Sequence, residues 1–221
     1  VDVLDRNIVE KIVELSPLVV YGEQGVGRTI FLYQLAVSLI DMGFSMFFLT
    51  SDMSYRVIDS YIDRIGHREP HVFVFPEYSL SERMRCLIGA IEEIMSLTPD
   101  MVGIIFDDML PVHLQLLQIT EETSPRFMSR ILFWLNFLAR SRICPVIVCS
   151  ALENIRRGLP FKAKFYISYG FNMLRICRVS RLRIFSLTAT QDEGILEDGK
   201  ILWRATIGRG GFIIVKDETT S

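Results

Sequence analysis

"PLVVYGEQGVGRTIFLYQLAVSLIDMG", residues 17–43, joins three kinds of sequence in one run. The β-branched stretch 17–22 ends in glycine and reads as a buried strand. A glycine-punctuated loop follows, and 28–43 then reads as a helix stopped by Gly43. Strand, tight loop and helix start in succession make a seat for phosphate. Glycines let the backbone turn and present its N–H groups inward, and the helix dipole favours an anion at its start. The loop nearly satisfies the pattern G-x-x-x-x-G-K-[S/T], with Gly22, Gly27 and Thr29 in place. The lysine position holds Arg28. Arginine brings charge as a planar fork instead of a compact ammonium, so it is expected to contact phosphate yet to reach the bridging position less well.

The rest of the chain extends the same pattern. Residues 3–15 show a helical apolar period. Strands are expected at 45–52, 71–77, 101–108 and 144–151, with helices at 80–98 and 124–142 and a short one near 59–66. After 170 the alternation stops. Residues 171–189 read as two strands joined near Val179 and Ser180, and 201–215 as two more around Gly208, Gly210 and Gly211. This order predicts an α/β fold: a mostly parallel central sheet with helices on both faces, extended by antiparallel hairpins at one edge. No linker or repeat interrupts it, so residues 1–221 are expected to form one domain, with an N-terminal helix in 1–16 and the core in 17–215. The loops 109–125 and 152–169 and the chain ends are expected to be the least ordered parts.

Half the residues are apolar, which suits a sheet covered on both faces. No apolar run is long and charge-free enough to span a membrane. Charges throughout 1–15 argue against a secretory leader. Cys86, Cys144, Cys149 and Cys177 are scattered and read as reduced thiols of a cytoplasmic protein. His67, His71 and His113 have no metal-ligand spacing. Charge is unevenly spread. From Arg126 to Arg183 there are twelve Lys and Arg against one acid, Glu153, giving +11; in a chain of net −2 the remainder carries −13. Such asymmetry points to a surface that faces a polyanion, unless folding disperses it.

Three more stretches bear on chemistry. "VGIIFDD" (102–108) is an apolar strand whose Asp107 is placed beside the loop to hold Mg²⁺ through water, and Thr29 can serve the same metal. "FFLTSDMSYR" (47–56) puts Asp52 just past the second strand, where a carboxylate could orient or deprotonate a water. "ENIRRGLPFKAKFY" (153–166) offers Arg156, Arg157, Lys162 and Lys164 for nucleic-acid phosphates, and Phe161, Phe165 or Tyr166 for stacking on bases. Arg175, Arg178, Arg181 and Arg183 extend the same basic field. The aromatic residues Phe31 and Tyr33, and Phe133, Trp134 and Phe137, are expected in the core.

These stretches together resemble the ATPase core of the RecA family, in particular the archaeal RadA recombinase and its paralogues. The resemblance rests on "GEQGVGRT", "YQLAVSL", "TSDMSYR", "IIFDD" and the tail 172–212, and covers roughly residues 17–215. A KaiC-like ATPase shares the layout and competes with it. The resemblance implies a RecA-like P-loop core that binds ATP with Mg²⁺ through Gly22, Glu23, Gln24, Gly25, Val26, Gly27, Arg28 and Thr29. Asp107 would support the metal, and Asp52 would fall where the family has its catalytic glutamate, on a shorter arm. Departures are also present. The stretch after the fifth strand, "VCSALEN", lacks the polar sensor, and Asp59 lies near where relatives place an arginine against adenine. These 221 residues contain nothing like the family's N-terminal DNA-binding domain or its aromatic linker.

The expectation is therefore a recombinase paralogue that assists homologous recombination and DNA repair. It would bind single-stranded DNA and a RadA-type recombinase or another paralogue, with weak or absent ATP hydrolysis. The alternatives are a nucleotide-dead scaffold for protein interaction and a KaiC-like signalling ATPase.

Overall fold

The structure, a computed structural model, describes residues 3–23, 25–51, 70–75, 89, 92, 93, 96, 101–107, 123–141, 145–150, 163–188 and 200–215. In chain order its elements are α1 (Arg6–Glu14), β1 (Leu18–Tyr21), α2 (Arg28–Asp41), β2 (Ser45–Ser51), β3 (His71–Phe75) and β4 (Val102–Phe106). There follow α3 (Thr123–Ser141), β5 (Val146–Ser150), α4 (Ala163–Ser168), β6 (Asn172–Val179), β7 (Leu182–Thr188), β8 (Lys200–Gly208) and β9 (Gly211–Val215). Residues 89, 92, 93 and 96, within the stretch expected to be helical, are helical. The fold is α/β, and its nine strands form one sheet in the order β3-β2-β4-β5-β1-β6-β7-β8-β9. Pairings from β3 through β6 are parallel. Those from β6 to β9 are antiparallel. Among the described residues no helix is long and apolar enough to cross a membrane.

Alternation along the strands assigns residues to the two faces. One row across the sheet reads Phe48, Ile105, Ile147, Leu18. All four are buried in a single core with α1 and α2. The next row reads Leu49, Phe106, Val148, Val19, Met173. These are equally buried but lie outside that core. They face the other way, where α3 packs on β5 and buries Ile131, Leu132, Leu135 and Leu138. Both faces are thus covered, which is why the parallel strands read as near-continuous apolar runs.

The helix α2 is buried from Phe31 through Leu39, the mark of a helix enclosed on all sides. It touches β2 near one end of the sheet and β9 at the other, so the sheet curls around it. Phe31, Phe185 and Phe212 meet ring to ring, with centroids 4.8, 5.6 and 5.5 Å apart. The buried Gln34 adds a polar clasp. Its Nε2 donates to the Phe212 carbonyl at 3.0 Å, and its Oε1 accepts from the Phe212 N–H at 2.8 Å. On the outer side the α1 segment is tied in through Ser38, whose hydroxyl accepts from the Leu4 N–H at 3.0 Å.

Two expectations need correction. Phe31 and Tyr33 are core residues, but Phe133, Trp134 and Phe137 are 58%, 45% and 47% exposed. They fall on the side of α3 turned away from the sheet. The stretch expected to be loop at 152–169 holds the short helix α4. On it Tyr166 is fully buried and meets Phe171 edge-on at 6.1 Å, so it cannot stack on a base.

Candidate nucleotide site

The loop that follows β1 sits at the carboxyl end of the central parallel strand, where open α/β sheets bind ligands. Gly22 is buried, and a Cβ there would run into the carbonyl of Ile176 on β6. Gly27 has φ +99° and is the N-cap of α2. A Cβ on it would stand 2.9 Å from Ile207 Cδ1 and 3.1 Å from the Phe212 ring. Conformation and space thus both require glycine at this position. As the N-cap, Gly27 brings no side chain of its own to the amides of the first turn of α2. Between the glycines, Val26 is buried and anchors the loop while Glu23 and Gly25 are exposed. The Val26 N–H donates to the Glu23 carbonyl at 3.4 Å. Arg28 and Thr29, the first two residues of α2, are half-buried.

Asp107 follows the last residue of β4. Strand alternation turns it to the α2 face, the same face as Phe48 and Ile105, and its neighbour Thr50 on β2 shares that parity. It is 1% exposed. Its backbone N–H continues the ladder to the Leu49 carbonyl at 2.7 Å. The carboxylate accepts from Thr29 Oγ1 at 3.3 Å and from Thr50 Oγ1 at 3.2 Å. Both contacts are long for O–H···O hydrogen bonds. A hard cation such as Mg²⁺ takes oxygen donors, and Thr29 and Asp107 are the residues that would hold it here. Among the described residues no cluster of His, Cys, Asp and Glu offers a different metal site.

The sequence-predicted residues divide into two groups. Gly22, Glu23, Gly25, Val26, Gly27, Arg28, Thr29 and Asp107 come together at one end of the sheet. Gln24, Asp52, Asp59, Arg156, Arg157, Phe161 and Lys162 lie outside the described residues. Lys164 is on α4, and its side chain lies outside them too. Thr50 was missed by sequence reading. The available signal was its even spacing from Phe48 at the end of an apolar strand.

The basic hairpin is split by its own geometry. Arg178 on β6 stands directly opposite Arg183 on β7, in the same alternation as Ile176 and Phe185 on the α2 face. Arg175 has the other parity, and Arg181 lies in the turn between the two strands. The four arginines therefore do not make one stripe. Arg183 is turned toward the loop, its Nε donating to the Val26 carbonyl at 3.1 Å. Burial first, and then the charge of Arg178, lower its pKa from the ordinary arginine value. Arginine starts so high that it keeps its charge.

No protein-family model matches the chain, and no curated protein matches it.

Proposed function

We propose that the protein is a RecA-like P-loop nucleotide-binding protein of the RadA-paralogue kind. It binds Mg-ATP at residues 22–29, hydrolyses it slowly or not at all, and assists recombinational repair through single-stranded DNA and a recombinase partner. The observation that carries the nucleotide part is the meeting of Thr29 and Asp107 across 78 residues of sequence at 3.3 Å. A hydroxyl at the second residue of the helix and a buried strand-end carboxylate are the pair that P-loop enzymes use to hold Mg²⁺. In that role the ion would neutralise charge on the phosphates. The glycine loop and the start of α2 would orient them, and Arg28 would add a cation at their edge. Slow hydrolysis follows from Arg28 in the lysine position and from Asp52, one methylene shorter than the expected glutamate. DNA contact is assigned to Arg156, Arg157, Lys162 and Lys164 from their sequence context.

A thermal shift with Mg-ATP and Mg-ADP tests the nucleotide reading. A ligand at a hundredfold its Kd stabilises by about 2.7 kcal/mol. The Thr29→Ala and Asp107→Asn variants should lose the magnesium-dependent part of the shift. Arg28→Ala should lose nucleotide stabilisation, and Arg28→Lys should raise turnover. A parent protein that Mg-ATP leaves unshifted would sink the reading. One observation favours the second reading, a scaffold for protein interaction: the exposed aromatic ridge Phe133, Trp134 and Phe137 on α3. Clear turnover without retention of DNA would favour a KaiC-like ATPase instead.

A further inference from the structure

Arg183 joins the C-terminal hairpin to the phosphate loop, 157 residues away, through its bond to the Val26 carbonyl. The peptide between Val26 and Gly27 is trans. In a trans peptide the C=O and N–H bonds point in opposite directions. Holding the Val26 oxygen toward β7 therefore turns the Gly27 N–H away from β7. The other side of Gly27 is also fixed, because its carbonyl accepts from the Phe31 N–H at 3.0 Å. Glycine tolerates more backbone conformations than any other residue, so an outside anchor is what gives this amide one direction. A charged donor on the carbonyl also polarises the peptide and strengthens its N–H as a donor.

The surroundings of Arg183 aim it. Arg178 is its direct cross-strand partner, and like charges in that position repel. Arg178 is turned back on its own hairpin, with Nε donating to the Ser180 carbonyl at 3.2 Å. Arg183, on the opposite strand, turns to the loop.

We propose that Arg183 is a positioning residue for the phosphate loop: it locks the Val26–Gly27 peptide so that the Gly27 N–H faces a bound phosphate, and Arg178 keeps it there by repulsion. This rests on the nucleotide reading of the loop. The probe is mant-ADP with Mg²⁺, followed by fluorescence titration and by the Gly27 amide signal in ¹H–¹⁵N spectra. The parent is compared with Arg183→Gln, Arg183→Lys and Arg178→Glu. Arg183→Gln is expected to weaken mant-ADP binding about ten-fold and to shrink the ligand-induced shift of the Gly27 amide. Arg183→Lys restores part of both. Arg178→Glu keeps Arg183 but offers it a carboxylate across the strand, so it weakens binding in the same direction and covers the case in which Arg183→Gln does not fold. Parental affinity in the folded variants overturns the inference and leaves the nucleotide reading standing. So does weaker binding with an unchanged Gly27 shift, which would make Arg183 merely structural. A parent that binds no mant-ADP overturns both.

Discussion

Gln34 shows how one side chain can stand in for a strand. Both of its polar ends are committed to the main chain of Phe212, and the residue is 1% exposed. Replacing it with Leu would leave a buried N–H and C=O on β9 without this partner. The expected loss is about 2–4 kcal/mol, read as a lower urea midpoint with unchanged slope. At this scale the glycine loop was legible from sequence, because Gly22 and Gly27 obey a spacing rule with a steric cause. Asp107 was legible as a strand-end acid. The Gln34 clasp and the Arg183 anchor were not. Each joins positions more than 150 residues apart, and neither lies in a local pattern.

α3 shows where periodicity misleads at the scale of an element. It has apolar residues all round, and counting them placed Phe133, Trp134 and Phe137 in the core. Among its described side chains the sheet takes Ile131, Leu132, Leu135 and Leu138, leaving Phe133, Trp134 and Phe137 on the outer side, edge to face with one another. The two faces should respond differently to truncation. Leu135→Ala is expected to cost about 2–5 kcal/mol, whereas Phe137→Ser should fall within about 0.5 kcal/mol of the parent. Equal losses in chemical denaturation would mean that the outer face is covered. The strands were read well because β-branched and aromatic runs bounded by turn residues leave few alternatives, and their ends moved by only one or two residues. The helix α4 was missed because its six residues carry too short a period to recognise.

Across the whole molecule, the change from strand–helix alternation to hairpins was enough to anticipate a parallel sheet with an antiparallel extension. It gave no hint that the sheet curls until its last strand touches the helix that follows its central one. The charge excess between residues 126 and 183 was plain in the sequence, but its direction was not. Arg178 and Arg183 share one face of the hairpin, while Arg175 has the opposite parity. If DNA is held through Arg156 and Arg157, the slope of log K against log salt should fall by about 1.4 when both are changed to Ala. Fluorescence anisotropy with a labelled single strand measures this, and an unchanged slope would remove those residues from the interface.

The curled sheet also imposes an order in time. The helix that starts at Arg28 leaves the ribosome well before the ring of Phe212 and the main chain that Gln34 holds, which lie 178 residues further along from Gln34. Through that interval one flank of the helix has no cover, and Gly27 lacks the wall formed by Ile207 and Phe212. A nascent chain halted before β8 would therefore carry a motif that reads as a nucleotide pocket and would be unable to hold its shape. Ligand competence would appear abruptly, when the β8–β9 hairpin docks.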